Sequence, residues 1–241
     1  MICSWVRKLE HTLGGYLIGE IQKEKIKIVT MDKIAICIPT HTSVSAVLFD
    51  QWIGLSAWCA KNNIPIITVA NRTHNDARNW LATGGGGFSN PNQVIDQMDY
   101  LIWIDSDQAF TLKDLQTLIE CKSKFCTGWY LKGKTPMVAR WDEKVFLKTG
   151  SMNFLSTKEL EQSKGKLVEV SYCGFGFTKT HTDLFKGLTY PFFRNKVVQI
   201  GEYQENVSED ASFCLDVAAY CEVKPKVIAD LKIGHLKEQV I

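Results

Sequence analysis

The sequence predicts an α/β protein with a mostly parallel central sheet flanked by helices, formed as a single domain. Two apolar runs, Ile34–Ile38 and Tyr100–Ile104, show no alternation of polar and apolar residues. Such runs are typical of strands buried on both faces of a parallel sheet. Segments with apolar residues at helical spacing separate the runs, and this alternation of strand and helix is the pattern of a parallel sheet covered by helices.

The predicted elements follow one another from residue 33 onward. Strands are predicted at Ile34–Ile38, Ile64–Ala70, Tyr100–Ile104, Lys124–Tyr130, Val168–Tyr172 and Lys226–Asp230. Helices are predicted at Val44–Lys61, Thr73–Ala82, Leu112–Cys121, Thr180–Gly187 and Ser208–Cys221, the last with Ser208 as its N-cap. Residues 132–171 are more polar and irregular. We therefore expect one domain over residues 31–241 and an N-terminal extension of unknown role over residues 1–30.

Composition limits the possible functions. The chain has 241 residues, of which 45% are hydrophobic and 22% charged, so it is neither collagen-like, nor a coiled coil, nor disordered. Its 28 basic and 26 acidic residues give a net charge of +2, which argues against nucleic acid as the main partner. No apolar run reaches the length of a transmembrane helix, so no membrane span is expected.

The eight cysteines form no CxxC pair, which argues against a zinc ribbon or a redox pair. Disulfide frameworks belong to short secreted chains, and residues 1–30 do not resemble a signal peptide. We interpret the thiols as small, reduced packing residues of a cytoplasmic protein.

Polar residues follow each of the first three predicted strands. In open α/β sheets, ligands bind beyond the carboxyl ends of the strands, so these residues are candidates for a site. In strand order they are Pro39 and Thr40, then Asn71, Arg72, Arg78 and Asn79, then Asp105, Ser106 and Asp107.

Asp105 and Asp107 come directly after a buried strand. At a sheet edge, two carboxylates offer hard oxygen ligands suited to Mg²⁺ or Mn²⁺ bound to a diphosphate. The alternative is a solvated turn. His235, which follows a late strand, favours the metal, although a lone histidine is more often structural. Arg72 and Arg78 are two of only five arginines, and their planar donors match phosphate oxygens. The alternative for them is an exposed helix face.

Glu209 and Asp210 begin a predicted helix, where the helix dipole favours carboxylates. A more specific interpretation is that one of them, Asp210 by preference, faces the site as a general base and accepts a proton from an attacking hydroxyl.

Residues 128–135 match the phosphate-loop pattern GxxxxGK[ST]. The context opposes that interpretation, because a phosphate loop needs small residues and a following helix. Here Trp129, Tyr130 and Leu131 occupy the loop, and Pro136 with a strand-like segment follows. The glycine run at residues 84–87 is better explained as a flexible connection, since no strand precedes it.

Taken in order, these motifs resemble the GT-A nucleotide-sugar glycosyltransferases, particularly the inverting family 2 type and its small viral and bacterial relatives. The resemblance covers residues from about 35 to 236. The matching segments are Ile36–Thr40, Ala77–Asn79, Tyr100–Asp107, Thr127–Tyr130, Cys173–Phe177, Ser208–Cys214 and Ile233–His235.

The resemblance implies a GT-A fold, which is Rossmann-like, and a role for each matched residue. On the donor side, Pro39 and Thr40 would line the nucleobase pocket, and Arg78 with Asn79 would contact the nucleotide or its diphosphate. Arg72 and Ser106 are further donor-binding candidates. Asp105 would reach the ribose or a metal-bound water.

The remaining implied roles concern the metal and the acceptor. Asp107 and His235 would hold Mn²⁺ or Mg²⁺ together with Asp105. Gly174 and Phe175 would form a wall near the sugar and the acceptor. Asp210, with Glu209 beside it, would be the base of an inverting reaction.

The expected function is that of a metal-dependent hexosyltransferase, which moves a sugar from a UDP- or GDP-linked donor to a glycan or another hydroxyl acceptor. Two alternatives remain open. One is a catalytically silent module on the same fold that binds a nucleotide or a glycan. The other is a P-loop phosphohydrolase that uses Lys134.

Overall fold

A seven-stranded sheet forms the centre of the protein. The structure is a computed structural model that describes residues 32–40, 44–85 and 93–236. The expected extension over residues 1–30 lies outside the described residues.

The described residues form sixteen strands and eight α-helices. The strands are β1 Ile34–Thr40, β2 Ile66–Ala70, β3 Tyr100–Ile104, β4 Gln108–Ala109, β5 Phe125–Trp129, β6 Leu131–Lys132, β7 Thr135–Pro136, β8 Val138–Arg140, β9 Asn153–Phe154, β10 Leu167–Glu169, β11 Tyr172–Cys173, β12 Phe177–His181, β13 Lys196–Ile200, β14 Tyr203–Val207, β15 Lys226–Lys232 and β16 Gly234–His235. The helices are α1 Phe49–Lys61, α2 His74–Thr83, α3 Val94–Gln97, α4 Leu112–Glu120, α5 Glu143–Thr149, α6 Thr157–Gln162, α7 Asp183–Lys186 and α8 Glu209–Cys221.

The central sheet has the strand order β10-β15-β5-β12-β3-β1-β2. Strand β1 pairs in parallel with β2 and β3, and β15 pairs in parallel with β5. Strand β12 is antiparallel to both of its neighbours, β3 and β5, and β10 is antiparallel to β15. Five of the seven strands therefore run in one direction, which confirms the expected mostly parallel sheet flanked by helices.

Side chains of the central strands pack on both faces of the sheet. Trp103 of β3 joins one buried cluster, in which the rings of Phe193 and Phe213 stack at 4.6 Å between centroids. Its neighbours Ile102 and Ile104 join the cluster on the opposite face. Because successive residues of a strand point to opposite faces, an uninterrupted apolar run is what a doubly covered strand requires.

The centre of the sheet differs from the sequence prediction. A helix was expected over Thr180–Gly187, but β12 extends through His181 and only Asp183–Lys186 is helical. The polar residues of β12 are satisfied inside the sheet: Trp103 Nε1 donates to Thr180 Oγ1 at 2.9 Å. Lys179 donates from Nζ to the backbone oxygens of Ile119 and Cys121. Four consecutive polar residues, from Thr178 to His181, are not typical of a buried strand, so the sequence pattern did not predict β12.

Three other expected elements have different bounds. The predicted strand Val168–Tyr172 is two strands, β10 and β11, which lie in different sheets. The predicted helix Val44–Lys61 begins at Phe49, after a short 3-10 turn at Ala46–Leu48. The irregular region 132–171 contains β6 to β10 and the short helices α5 and α6. In the described part of the chain, no helix is long and apolar enough to cross a membrane.

Seven cysteines lie in the described residues, all with free thiols that are buried or half-buried. Cys37, Cys173 and Cys214 are fully buried among apolar side chains. This placement agrees with the expected packing role.

Candidate functional site

A cavity of about 310 Å³ opens at the carboxyl end of β3. Acidic, basic and aromatic side chains from several elements share its wall. They are His74, Arg78, Asp105, Asp107, Tyr130, Lys132, Met137, Tyr172, Ser208, Glu209, Asp210 and His235.

Arg78 is the buried cation of this cavity. It lies on α2, whose N-terminus is capped by Thr73, which accepts a hydrogen bond from the Asp76 N–H. Its Nη1 donates to Glu209 Oε1 at 2.5 Å, and its Nη2 donates to Asp105 Oδ1 and Oδ2 at 3.1 and 3.3 Å. One guanidinium therefore connects the acidic residue after β3 with the first residue of α8.

Neighbouring carboxylates stabilise the positive charge of Arg78. Burial opposes the charge, but the carboxylates of Asp105, Asp210 and Glu209 outweigh it and hold the pKa of Arg78 above its ordinary value. The guanidinium also lies 5.6 Å from the ring centroid of Phe175. Its Nε is buried and has no hydrogen-bond partner among the described residues.

His235 and Asp107 meet across the cavity. The short strand β16 pairs with β4, so that His235 lies opposite Gln108. Next to this pair, the Leu236 N–H donates to the backbone oxygen of Asp107 at 2.9 Å. Gly234 allows this approach, because a Cβ there would lie 3.0 Å from the Cβ of Ala109. His235 Nε2 is 3.0 Å from Asp107 Oδ2, and its Nδ1 is 3.2 Å from the Leu131 oxygen.

Asp107 and His235 could supply two ligands to a metal ion. When Nδ1 donates its proton to the Leu131 oxygen, Nε2 and the Asp107 carboxylate both present lone pairs to the same point. A proton or a metal cation must then lie between them, and a backbone carbonyl that orients a ligating histidine is common at metal sites. The described residues contain no group of three or more such ligands. Mg²⁺ commonly takes only one or two carboxylates and completes its shell with water and phosphate.

Asp105, which was expected beside the metal, is engaged elsewhere. Both of its carboxylate oxygens accept hydrogen bonds from Arg78, whereas Asp107 and His235 contact each other across the cavity. The reason is the long reach of Arg78 from α2, which the sequence pattern does not reveal.

Asp210 is fixed in the first turn of α8. Its Oδ1 accepts hydrogen bonds from the Ser208 hydroxyl and from the Ala211 N–H, and its Oδ2 accepts one from the Tyr172 hydroxyl at 3.4 Å. Ser208 is the N-cap residue as expected, although its side chain bonds Asp210 instead of a backbone N–H. Glu209 is committed to Arg78, so Asp210 is the better placed of the two to accept a proton.

Tyr130 closes the floor of the cavity against a glycine segment. A Cβ at Gly174 would lie 2.2 Å from the Tyr130 hydroxyl oxygen, and one at Gly176 would lie 2.8 Å from its ring. Burial, together with Asp105 and Asp210, raises the pKa of Tyr130 well above its ordinary value. Burial and Asp210 do the same for Tyr172. Both hydroxyls are therefore neutral donors at physiological pH.

The structure brings six of the thirteen expected site residues together in one cavity. Of the candidate residues, those that share the cavity are Arg78, Asp105, Asp107, Glu209, Asp210 and His235. They come from four different segments of the chain, which are helix α2, the turn after β3, the start of α8 and the strand β16.

Several other expected site residues do not line this cavity. Asn79 uses its side-chain amide to bond both the N–H and the oxygen of Phe193, which fastens α2 to the core. Phe175 is 0% exposed and packs in the aromatic core, and Gly174 lies beneath Tyr130. Gly174 and Phe175, which were expected to form a wall near the sugar and the acceptor, therefore do not face the cavity.

The remaining candidates lie around the same edge. Pro39 and Ser106 are buried, and Thr40 donates from its hydroxyl to the Val69 oxygen at 3.0 Å. Arg72 lines a smaller polar cavity of about 160 Å³ with Asn79.

Sequence reasoning did not assign a site role to six residues of the cavity wall: His74, Tyr130, Lys132, Met137, Tyr172 and Ser208. Tyr130 lies in a motif that was recognised, but its role there was not assigned. Met137 comes from the irregular segment 132–171, and Tyr172 follows that segment at the end of the predicted strand Val168–Tyr172. Only the fold brings β8 and β11 to the start of α8.

The segment that matches a phosphate loop has a different structure. Gly128 lies in β5, and the Lys-Thr pair leads into β7 of a short hairpin with β6. A phosphate-cradling loop requires a helix at this point, and none follows. The hairpin instead places Lys132 at the cavity.

Comparison with known proteins gives a limited result. No family model matches the chain, and no curated protein matches it. Among solved structures, the chain is similar to A197 from STIV, with a TM-score of 0.52, 18% sequence identity and coverage of 86% of both chains. At this identity the likeness concerns the fold alone.

Proposed function

We propose that this protein is a metal-dependent glycosyltransferase of the GT-A type, which transfers a sugar from a UDP- or GDP-linked donor to a hydroxyl acceptor with inversion. The observation that carries the proposal is the meeting of Asp105, Asp107, Arg78, Asp210 and His235 in one cavity beyond the carboxyl end of β3. Ligands of α/β sheets bind at this edge.

On the donor side, Asp107 and His235 would hold Mn²⁺ or Mg²⁺, with diphosphate oxygens of the donor completing its shell. The bound ion would neutralise the charge that builds up on the departing diphosphate. Lys132, exposed at the cavity rim, offers a further cation to the phosphates. Arg78 holds Asp105 and Glu209 in place beneath the donor.

On the acceptor side, Asp210 would take the proton of the attacking hydroxyl. The acceptor oxygen forms a bond to the anomeric carbon, and the bond from that carbon to the diphosphate breaks. The electron pair leaves with the nucleoside diphosphate, and the proton stays on the Asp210 carboxyl. The hydrogen bonds from Ser208 and Tyr172 orient Asp210 for this step. The free, mostly buried thiols support a cytoplasmic location.

Calorimetry tests the donor side directly. We expect UDP or GDP to bind at least tenfold more tightly with Mn²⁺ than without it, and CMP and ATP to bind weakly under both conditions. Asp107→Asn should abolish the metal dependence, because it removes a charged ligand. Asp230→Asn is a matched control, since Asp230 is exposed and bonds only the distant Gly165 N–H among the described contacts.

Two outcomes would contradict the proposal. If none of the four nucleotides binds with or without Mn²⁺, the cavity is not a nucleotide-sugar donor site. Metal-dependent binding of UDP or GDP, without donor hydrolysis or transfer to any acceptor, would instead identify the protein as a silent binding module.

A further inference from the structure

A second cavity of about 180 Å³ lies beside the first. The side chains that define it are apolar, and they include Trp141, Phe146, Val198, Val207 and Leu215. Its wall also includes Ala211, the residue that follows Asp210. Ala211 also packs in one buried cluster with Tyr172, which lines the first cavity and bonds Asp210. The second cavity, which we call the apolar pocket, therefore adjoins the part of the first cavity that holds Asp210.

The elements around the apolar pocket are peripheral to the sheet. Helix α5 has no buried side chain, and β13 and β14 pair with each other in a sheet of their own. These elements nevertheless hold fixed positions. Asp216 of α8 accepts from Arg194 and Lys196 at 2.7 and 2.6 Å, which fastens the hairpin to the helix.

The far end of the hairpin is also anchored. A Cβ at Gly201, in the turn, would lie 3.4 Å from Leu147 of α5, so the turn and the helix are in contact. The rings of Trp141 and Phe146 lie 5.4 Å apart at one side of the pocket. The pocket is therefore a built space between anchored elements.

The apolar wall of the pocket favours an apolar ligand over a bare sugar. A bare sugar presents hydroxyls on most of its surface, and burying a hydroxyl without a hydrogen-bond partner is costly. Gln199 is the one polar side chain among the described residues that line the pocket. A dry apolar cavity of about 150 Å³ is large enough to bind benzene, so this volume suits one aromatic ring or a short alkyl chain.

We propose that the apolar pocket binds the apolar part of the acceptor, an aromatic ring or an alkyl chain of about six carbons, while the hydroxyl of the same acceptor reaches Asp210. This proposal rests on the proposed function and narrows the acceptor to an amphipathic alcohol or an alkyl or aryl glycoside. The glycan-only acceptor is the competing case.

Fluorine NMR with 4-fluorobenzyl alcohol tests the pocket without any turnover. Val198→Trp should fill the pocket and weaken binding of this probe at least tenfold. Val197→Trp is the matched control, because Val197 is the adjacent residue on β13, points to the opposite face and is 62% exposed. Absence of probe binding to the unmodified protein, or equal binding by both variants, would overturn the proposal.

Calorimetry with UDP or GDP and Mn²⁺ on the same samples separates the two proposals. Nucleotide binding retained in Val198→Trp, with probe binding lost, supports an acceptor pocket beside an intact donor site. Probe binding to a protein that binds no nucleotide would overturn both the proposed function and the assignment of the pocket to the acceptor. If nucleotide binds and the probe does not, only the proposal that the apolar pocket binds the acceptor is overturned.

Discussion

Helix α8 carries two clusters of buried charge that have opposite balances. The site cluster, at its first turn, is Arg78 with Asp105, Glu209 and Asp210, where one guanidinium faces three carboxylates. The anchor cluster, farther along the helix, is Asp216 with Arg194 and Lys196, where one carboxylate faces two cations.

The two clusters also differ in exposure. The Arg78 side chain is 2% exposed, whereas those of Arg194 and Lys196 are about one-third exposed and keep contact with water. The anchor cluster can therefore place its extra positive charge in solvent. The site cluster faces a cavity with its extra negative charge, and Asp107 adds to it. Under the proposed function, a bound divalent cation would balance the extra negative charge of the site cluster, whereas the anchor cluster needs no further ion.

The largest expected effect is that of Asp210→Asn in the site cluster. We expect transfer to fall by about 10²–10⁴-fold, because the amide cannot accept the proton of the acceptor hydroxyl. Nucleotide binding should change little, since Asp210 lies on the acceptor side. Steady-state assays with donor and acceptor check the rate, and calorimetry checks binding. An unchanged kcat in the Asp210→Asn protein would exclude Asp210 as the general base.

The two arginines should differ in their contribution to stability. Arg78→Gln removes the guanidinium partner of the buried Glu209 and the half-buried Asp105, and loss of one partner of a buried ion pair typically costs about 3–5 kcal/mol. Arg194→Gln removes a partly exposed partner whose loss costs about 1 kcal/mol or less. Urea denaturation of both variants measures the free energies of unfolding. Equal losses would show that burial of Arg78 does not distinguish the clusters.

Asp216→Asn should affect stability and leave the site intact. The two cations that lose their partner can turn toward water, so the expected loss is about 1–2 kcal/mol. Nucleotide binding per folded molecule should stay the same, because the anchor cluster touches no residue of the site cluster in the described contacts. Weaker nucleotide binding at unchanged stability would contradict the anchoring role.

The smallest expected effect concerns alkaline pH. Burial and Asp210 raise the pKa of Tyr172, so below about pH 10 both the folded and unfolded chains keep its proton. Above that pH the unfolded chain releases the proton and the folded chain holds it. The free energy of unfolding should therefore fall, by about 1 kcal/mol for this group at pH 11.

Thermal unfolding between pH 8 and pH 11 measures that fall. Tyr172→Phe should make the decline less steep, because phenylalanine has no proton to release. Tyr203→Phe is the control, since Tyr203 is 65% exposed on the hairpin. Identical slopes for the two variants would show that Tyr172 does not contribute.

Local patterns predicted most strands of the central sheet but missed β12 at its centre. Strands β1 and β3 were predicted because both faces of each are apolar, which makes a run visible in the sequence. Strand β12 was missed because it carries consecutive polar residues, and Thr178, Lys179 and Thr180 each use a hydrogen-bond partner more than 50 residues away. The sequence alone offers no sign of such partners.

The candidate site shows the same division. The acidic pair after β3 and the acidic start of α8 were predictable, because each follows a recognisable strand or cap. The engagement of Asp105 by Arg78 and the cover of Gly174 by Tyr130 were not, because both depend on how α2 and β5 pack against the sheet.

The sequence by itself determined the alternation of strand and helix, the buried strands and the chemical groups at their ends, because these follow from periodicity over a few residues. Only the tertiary structure decided which of those groups meet. Arg78 reaches Glu209 across 131 residues and His235 reaches Asp107 across 128. It also decided that an apolar pocket lies beside Asp210. Such contacts depend on the packing of whole elements, which no local pattern encodes.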